Sequence, residues 1–460
     1  MKIDPIKILF NVSLALFFLL YGAFMMKFKI FPYEILQKAM VSYKALMALA
    51  GETDDALPAD FWDVGGPQEP VVYGSANQKE DQLILVSGGL DQLKSACPKY
   101  GCLAWLTDRK GKIKHVWHHD PTIWNNMEHL KSEVKGRYLY PMGLHMYENG
   151  DLLVSYQAKN AFPVGVGLAK FDKDSNLIWK REDFNNHWFE VTNDGRIYAP
   201  AMRVIDAPLH IGDTRYLINC EQTKIAADVV TILSPDGKLI KEIDILDAII
   251  KSGYAGTFHG ALTGDDVDSL DTCDPTHLND VRVFSHDIPS YPPDIKKGDF
   301  LVSLRSLNAV GILDPDTERF KWFSVGLSIR QHSPRYDGNG GVIVLDNKGG
   351  SEKKGGSRVV RVDLQSRMPV EMFPKTSIPE PKNFYTGTAG HLDLSADRKT
   401  ILITSTHQGE IWEMDLASGK VVWRYVNNHM QRGRPARFPI YTSKYIQRAS
   451  FIFNRKLGVQ

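Results

Sequence analysis

One pattern of apolar and polar positions recurs six times along the chain. Each copy has a short run of β-branched and other apolar residues, then a polar turn, then a second apolar stretch that often contains Trp. The apolar runs lie at residues 83–86, 152–154, 196–198, 300–302, 342–344 and 401–403. The turns that follow contain Asp108, Asp172, Asp236, Asp314, Asp363 and Asp415. Turn residues that tolerate positive φ, between flanks that alternate apolar and polar, predict β-hairpins.

Six copies of one β unit predict a ring of similar sheets. A single sheet of this kind cannot bury both of its faces, whereas a closed ring buries them and leaves few free edges. We therefore predict an all-β fold, a six-bladed β-propeller over residues 71–460, in which residues 445–453 can supply the strand that closes the ring. An open sandwich and two small barrels are the alternatives.

The N-terminus carries an apolar stretch of membrane-spanning length. Ile8–Met26 is bracketed by Lys7 and Lys27 and matches the ~20 apolar residues that cross a bilayer as a helix. A cleaved signal peptide is the alternative, but its apolar region is shorter and a small-residue cleavage site follows it. We predict an uncleaved transmembrane signal anchor over residues 1–30, then a juxtamembrane helix and linker over residues 31–70.

The four cysteines allow three pairings. Cys97 and Cys102 are close enough in sequence to close a small loop, which leaves Cys220 to pair with Cys273. Four unpaired, buried thiols are the alternative. Disulfides persist in oxidising compartments, so we expect a single-pass membrane protein whose propeller lies outside the cytoplasm. A bacterial periplasm is favoured, because the only glycosylation sequon, Asn11–Ser13, lies inside the apolar stretch.

The charge balance argues against a nucleic-acid partner. The chain has 55 Lys and Arg residues against 54 Asp and Glu residues, a formal net charge of +1. A protein that binds a polyanion needs a basic surface, which this composition does not indicate. The oligomeric state is left open by the sequence.

Histidines recur just before the first strand of successive blades. They are His145, His187, His277, His332 and His391. In a propeller the innermost strand of each blade follows the loop that enters the central channel, so we expect these side chains to converge on the axis. A single histidine at such a position is more often a structural hydrogen-bonding group. Arg305 lies within a strand pattern, and an arginine in a closed interior needs an anion, either a fixed carboxylate or a substrate.

At these residues the chain resembles the bacterial aryl sulfotransferases that work without a nucleotide sulfate donor. The matching segments are Asp274–Asp280 (DPTHLND), Leu301–Asn308 (LVSLRSLN), Gln331–Pro334 (QHSP) and Gly340–Asn347 (GGVIVLDN). The resemblance extends over roughly residues 100–426. It implies a six-bladed propeller, in agreement with the repeat count. The sequence departs from better-known members in a short, cysteine-free segment between Arg305 and His332, and in its anchor.

The resemblance also implies the roles of the site residues. His332 would carry the sulfuryl group transiently, and the other catalytic residues would be His277, Arg305 and His187. We expect the remaining substrate-binding residues to be Asn279, Asn308, His145 and His391. No cofactor and no metal are expected. The implied substrates are a small-molecule aryl sulfate donor and a phenolic or alcohol acceptor.

The residue types fit sulfuryl transfer. Like a phosphoryl group, the travelling group carries charge on nonbridging oxygens, so positioning and fixed positive charge do most of the catalysis. A neutral imidazole can attack sulfur and later release the group, and Arg305 can hold two oxygens with its forked donors. We expect Trp188, Phe384 and Tyr385 to be available as walls for an aromatic ring.

Two other functions remain open from the sequence. Four axial histidines can hold iron for oxygen chemistry, although a nearby arginine would weaken binding of the metal. A non-catalytic binding or scaffold propeller would use its histidines as struts between blades. A nucleotide-dependent sulfotransferase is disfavoured, because no glycine-rich phosphate loop opens a helix anywhere in the chain.

Overall fold

The computed structural model describes most of the globular part and the N-terminal helix. The described residues are 5–28, 30–33, 62–63, 70–74, 82–130, 139–159, 161–214, 216–221, 223–258, 269–288, 294–374, 384–431 and 433–447. The chain divides into two compact units, residues 1–58 and residues 59–460.

The first unit contains one long helix, α1 (Pro5–Phe28). Leu9, Phe18 and Leu19 are among the large apolar side chains that it leaves exposed. The helix is long and apolar enough to cross a membrane, a property that a signal sequence near the N-terminus shares. The predicted juxtamembrane helix falls on residues 33–49, nearly all of which lie outside the described part.

The second unit is built almost entirely of strands. The strands before the third blade are β1 (Trp62–Asp63), β2 (Val71–Gly74), β3 (Gln82–Ser87), β4 (Cys102–Thr107), β5 (Ile113–His118), β6 (Leu139–Met146), β7 (Leu152–Ala158), β8 (Gly165–Phe171) and β9 (Leu177–Arg181). Those of the third blade and its insertion are β10 (Glu190–Val191), β11 (Ile197–Asp206), β12 (Leu209–His210), β13 (Leu217–Asn219), β14 (Lys224–Leu233), β15 (Leu239–Asp244) and β16 (Ser269–Asp271).

The strands of the remaining blades follow in chain order. They are β17 (Leu278–Val283), β18 (Phe300–Leu304), β19 (Ala309–Asp314), β20 (Arg319–Val325), β21 (His332–Tyr336), β22 (Gly341–Asp346), β23 (Arg358–Asp363), β24 (Pro369–Phe373), β25 (His391–Leu394), β26 (Thr400–Ser405), β27 (Glu410–Asp415), β28 (Val421–Val426), β29 (Asn428–Gln431), β30 (Arg434–Arg437) and β31 (Ser443–Gln447).

These strands form six antiparallel blades, which confirms the predicted six-bladed propeller. From the axis outward, blades 2 to 5 have the orders β6-β7-β8-β9, β10-β11-β14-β15, β17-β18-β19-β20 and β21-β22-β23-β24. Blade 6 has the order β25-β26-β27-β28, and β2 pairs outside β28 as a fifth strand. Blade 1 takes its innermost strand from the C-terminal end, since β31 pairs with β3. This pairing closes the ring, as the sequence predicts.

The recurrent Asp residues organise the turn between the third and fourth strands of a blade. Asp108 Oδ1 accepts hydrogen bonds from the backbone N–H groups of Lys110 and Lys112, both at 2.9 Å. Asp172 does the same for Asp174 and Asn176. A short side-chain carboxylate that binds the backbone two residues on mimics a backbone turn, which explains the recurrence of Asp.

The recurrent Trp residues join neighbouring blades. The Trp117 indole N–H donates to Gly150 O at 3.2 Å, from blade 1 to blade 2. The Trp322 indole donates to Leu364 O at 3.1 Å, from blade 4 to blade 5, and the Trp423 indole donates to Arg109 O at 2.9 Å, from blade 6 to blade 1. Each of these three indoles is buried. The ring is therefore held by apolar packing between sheets and by one oriented hydrogen bond at several junctions.

Blade 3 carries an insertion that the repeat pattern does not show. β11 and β14 are ten residues long, and a small sheet of β12, β13 and β16 lies beyond them. A short helix, α2 (Ile245–Lys251), follows β15. Trp62–Asp63, which the sequence assigns to the linker, forms a two-residue strand paired with β30.

All four cysteines are paired. The disulfides join Cys97 to Cys102 and Cys220 to Cys273, with Cα–Cα distances of 5.2 Å and 4.8 Å. This is the pairing favoured from the sequence, and the alternative of four free thiols is excluded. The second disulfide fixes the insertion of blade 3 to the segment that leads into blade 4.

Candidate active site

A cavity of about 480 Å³ opens at one end of the propeller axis. Its polar and charged lining includes Gln157, Lys159, His187, His277, Arg305, His332 and His407. Blades 1 and 2 contribute Tyr441 and Tyr140, whose rings stack at 4.7 Å with an interplanar angle of 14°. Among the described residues, no carboxylate lines the cavity. The lining is therefore suited to an anionic ligand with an aromatic part.

His332 begins β21, the innermost strand of blade 5, and is 2% exposed. Its Nδ1 lies 2.6 Å from Asn347 Oδ1. The amide nitrogen of Asn347 donates to Thr386 O at 2.6 Å and Ala389 O at 2.8 Å, which turns its oxygen toward the imidazole. The His332 Nδ1 therefore carries the proton, and Nε2 keeps its lone pair.

The pKa of His332 is lowered to about 3. Burial is the main cause, and the positive charges of Arg305 and His277 add to it, whereas the hydrogen bond to Asn347 opposes the shift. Loss of solvation disfavours the charged form of a buried imidazole. His332 is consequently neutral at physiological pH, the state in which a ring nitrogen can act as a nucleophile.

His277 lies at the turn that leads into β17. Its Nδ1 forms a short hydrogen bond with the carboxylate of Asp274. Its ring centroid lies 4.9 Å from that of His187, with the rings edge to face. The carboxylate holds the Nδ1 side, which leaves Nε2 for a ligand in the cavity.

His187 has side-chain partners for both ring nitrogens. Nδ1 lies 2.5 Å from Asn186 Oδ1, and Nε2 lies 3.0 Å from Gln157 Nε2. Burial and the charges of His277, His332 and Arg305 lower its pKa well below the usual value. His187 is therefore a neutral, oriented part of the wall.

Arg305 directly follows β18 and lines the same cavity. Its backbone N–H donates to His277 O at 3.0 Å, which ties the two segments together. Within the described residues its guanidinium has no hydrogen bond or ion pair. Burial lowers its pKa, as does the like charge of Arg330, while Asp274 opposes this. A half-buried guanidinium without a protein partner is an anion-binding group by its chemistry.

Trp188 forms the floor beneath these residues. Its ring centroid lies 5.7 Å from that of His332, with the rings edge to face, and 5.9 Å from that of His391. The indole N–H donates to Thr442 Oγ1 at 2.8 Å. Below the floor, Arg335 donates to Asp280 at 3.1 Å and to His391 Nε2 at 2.8 Å. The histidine-lined cavity is thus separated from a network of charged side chains lower on the axis.

The structure places the eight sequence-predicted site residues in two groups. His332, His277, Arg305 and His187 line the cavity together. Asn279, Asn308, His145 and His391 are not part of its lining. His391 is fully buried and bonded to Arg335, whereas burial lowers the pKa of His145 to about 3 beside Lys444, Lys170 and Arg282.

The two asparagines instead support the segment before His332. Asn279 donates from its side-chain amide to Gln331 O at 2.9 Å. Asn308 Oδ1 accepts from the backbone N–H of Arg330 at 2.9 Å. Both contacts lie within two residues of His332 and fix its approach to the cavity.

Several lining residues have no signature in the sequence. Gln157, Lys159 and the Tyr140–Tyr441 pair have no local signal, because their direction depends on strand register. Asn347 directly follows β22 and lies in a segment that matches the family. That match is the only signal in the sequence that points to Asn347. Of the three aromatic walls expected, Trp188 contacts His332, Phe384 packs in the core against Trp412, and Tyr385 is 47% exposed.

The fold and site define the class of protein: a six-bladed propeller whose axial cavity presents a neutral imidazole beside a guanidinium that has no partner among the described residues. A family model described as arylsulfotransferase (ASST) matches residues 143–428, more than half of the chain. The chain belongs to the arylsulfotransferase family, which confirms the resemblance seen in the sequence. Membership implies an activity of the aryl sulfotransferase type.

Other comparisons concern the chain as a whole. No curated protein matches it in sequence. Among solved structures, it is similar to a protein of unknown function from Bacteroides caccae (TM-score 0.46, 13% identity, 80% of this chain and 99% of that chain). It is also similar to the Swd1 β-propeller domain of Myceliophteria thermophila (TM-score 0.39, 10% identity, 84% and 99%). A third is apo AztD from Citrobacter koseri (TM-score 0.34, 9% identity, 79% and 97%).

Proposed function

We propose that His332 accepts a sulfuryl group from a phenolic sulfate ester and passes it to an acceptor hydroxyl. The observation that carries this proposal is the hydrogen bond from His332 Nδ1 to Asn347 Oδ1. It leaves the Nε2 lone pair of a neutral imidazole in a cavity that also holds Arg305, His277 and His187. These are a nucleophile and a fixed positive charge in one site.

In the first half-reaction Nε2 of His332 attacks sulfur. The S–O bond to the aryl group breaks, and its electron pair goes to the phenolate oxygen, which takes a proton from Nε2 of His277. A phenol has a pKa of about 10, so protonation makes the oxygen a better leaving group. The sulfated His332 ring carries positive charge, and the Nδ1–H bond to Asn347 strengthens as that charge develops.

In the second half-reaction an acceptor hydroxyl attacks the sulfur of sulfated His332. His277 takes the hydroxyl proton, the S–N bond breaks, and the electron pair returns to Nε2 of His332. Arg305 binds the nonbridging oxygens in both half-reactions, because a guanidinium offers two parallel donors. His187, held by Gln157 and Asn186, packs against His277 and keeps its ring in place.

The cavity wall supports an aromatic substrate. The stacked Tyr140 and Tyr441 rings line the same cavity as the histidines of blades 3 to 5. Flat aromatic surfaces bind an aryl ring by offset stacking. We propose that this pair binds the ring of the donor or of a phenolic acceptor.

We propose that α1 anchors the protein in a membrane with the propeller outside the cytoplasm, in the periplasm of a bacterium. The length and apolar surface of α1 support the anchor. The disulfides Cys97–Cys102 and Cys220–Cys273 support an oxidising compartment.

An iron site finds no support in the geometry. Over the part of the chain that the structure describes, no group of three or more His, Cys, Asp or Glu side chains is arranged to hold a metal ion. Each of the three histidines in question has one ring nitrogen hydrogen-bonded to a neighbouring side chain, namely Asn347, Asp274 or Asn186. The positive charge of Arg305 would also disfavour a metal cation in the cavity.

Transfer kinetics test the proposal. Purified full-length protein in detergent is given 4-nitrophenyl sulfate with and without a phenol acceptor, and nitrophenol release is followed. We expect acceptor-dependent turnover with ping-pong kinetics. His332→Ala should abolish transfer while keeping the fold, and His118→Ala, at an exposed histidine of β5, should have no effect. Full transfer by a folded His332→Ala variant would refute the proposal and favour a binding propeller.

A further inference from the structure

A buried carboxyl group lies behind the His277 turn. Asp228, on β14, is 1% exposed. Its Oδ2 accepts a hydrogen bond from the Leu278 backbone N–H at 2.7 Å and a short one from the Thr276 hydroxyl. Asp228 therefore binds the residue before His277 and the residue after it with one oxygen atom.

The backbone of His277 needs such support. Its φ is +53°, in the left-handed region that residues with a Cβ rarely adopt. The two hydrogen bonds to Asp228 hold the Thr276 side chain on one side of His277 and the peptide N–H of Leu278 on the other. They thereby direct the imidazole into the cavity, where it faces His187 at 4.9 Å.

The second oxygen of Asp228 has no partner among the described residues, and neither does Oδ1 of Asp274. The other oxygen of Asp274 binds His277. Burial raises the pKa of Asp228 well above its usual value, and the negative charges of Asp274 and Asp244 add to the shift, whereas the hydrogen bonds from Thr276 and Leu278 oppose it. A buried carboxyl beside another carboxylate avoids a second negative charge by keeping its proton.

We propose that Asp228 is a positioning residue that works as a neutral carboxylic acid: it holds the His277 turn while Asp274 alone supplies negative charge to the imidazole. An ionised Asp228 would place a second negative charge beside Asp274, behind the His277 turn. The role of His277 rests on the proposed function, but the protonation of Asp228 does not.

Two substitutions separate geometry from charge. In Asp228→Asn the amide oxygen still accepts both hydrogen bonds, and the amide group mimics the protonated acid. In Asp228→Ala the peptide N–H of Leu278 and the Thr276 hydroxyl lose their acceptor. We expect Asp228→Asn to retain at least a third of the wild-type kcat with an unchanged pH profile. We expect Asp228→Ala to lower kcat at least tenfold with little change in the KM for the donor.

The protonation state is tested without any assay of activity. A raised pKa in the folded state means that the wild type loses stability as pH rises above about 4, the unfolded value. Asp228→Asn lacks this loss, so its Tm should rise relative to the wild type between pH 4 and pH 8. Asp236→Asn lies in an exposed turn where hydrogen bonds from Lys238 and Ser234 lower the pKa of Asp236. Its Tm difference from the wild type should stay constant between pH 4 and pH 8, because a lowered pKa changes stability only below about pH 4.

The outcomes test separately the protonation state of Asp228, its positioning role and the proposed transfer activity. An Asp228→Asn protein as inactive as Asp228→Ala, or a Tm difference that shrinks as pH rises, would overturn the neutral acid. Wild-type activity in Asp228→Ala would overturn the positioning role. If Asp228→Ala does not fold, Thr276→Val tests positioning by removing one of the two hydrogen bonds, with a smaller fall in kcat expected. A wild type without transfer activity would refute the proposed function, while the Tm comparison would still decide the state of Asp228.

Discussion

At the scale of single residues, the orientation and tautomer of His332 are set by groups from three separate segments. Asn347 orients the ring through Nδ1, and its own amide is held by the carbonyls of Thr386 and Ala389. Trp188 closes the space beneath the ring. These contacts fix one orientation and one tautomer of the ring, and an attack on sulfur by His332, as proposed, would need no rearrangement of these groups.

The lowered pKa of His332 has a measurable consequence for the pH dependence of the first half-reaction. A histidine pKa lowered to about 3 extends the neutral, nucleophilic form toward acid. We therefore expect kcat/KM for the sulfate donor to show no loss attributable to His332 between pH 8 and pH 5. Stopped-flow release of nitrophenol measures it. An acid limb centred near pH 6.5, which shifts in the Asn347→Leu variant, would contradict the assignment.

The sequence predicts the charged and imidazole side chains that line the cavity better than the groups that support them. His332, His277, Arg305 and His187 were selected by motif and converge in the cavity. Asn279 and Asn308, predicted to bind substrate, lie outside the cavity lining and bind the backbone at Gln331 and Arg330. A short polar side chain beside a motif can bind either a substrate or the neighbouring backbone. The three-dimensional course of the loop decides between these two roles, and the local sequence does not show it.

At the scale of elements, the blades are joined by side chains that the repeat made visible. The Trp322 indole on β20 donates to Leu364 O in the next blade. Trp179 occupies the corresponding outer strand of blade 2, is half-buried, and has no indole hydrogen bond among the described residues. The two residues form a natural comparison.

This comparison gives a prediction for stability. Trp322→Phe should lower the free energy of unfolding by about 1–2 kcal/mol, because the Leu364 carbonyl is left without its donor in a buried setting. Trp179→Phe should lower it by less than half as much. Urea unfolding followed by circular dichroism measures both. Equal effects would show that the hydrogen bond does not contribute to the junction between blades.

The second strand of each blade is predictable from the sequence because the apolar runs and Asp turns repeat. The insertion of blade 3 is not predictable, because β12, β13 and β16 are only two or three residues long and too short for a periodic signal. The extra strand β2 was missed for a related reason. Its pairing with β28 joins residues more than three hundred positions apart, and local pattern carries no information about such a partner.

At the scale of the whole molecule, ring closure brings distant segments together. β31 completes blade 1, and the loop before it carries Tyr441 to the cavity. His187, His277 and His332 come from the entries to blades 3, 4 and 5. Closure therefore assembles one site from side chains that are far apart in sequence, and the position of each depends on the neighbouring blades.

The central claim is that this assembly makes His332 the carrier of the sulfuryl group. The most direct measurement is to incubate the protein with 4-nitrophenyl sulfate and no acceptor, digest it with trypsin at neutral pH, and analyse the peptide Gln331–Arg335 by mass spectrometry. We expect the mass increase of one sulfuryl group on His332, lost on addition of phenol. Nitrophenol release with an unmodified His332, or with the group on another residue, would contradict the account.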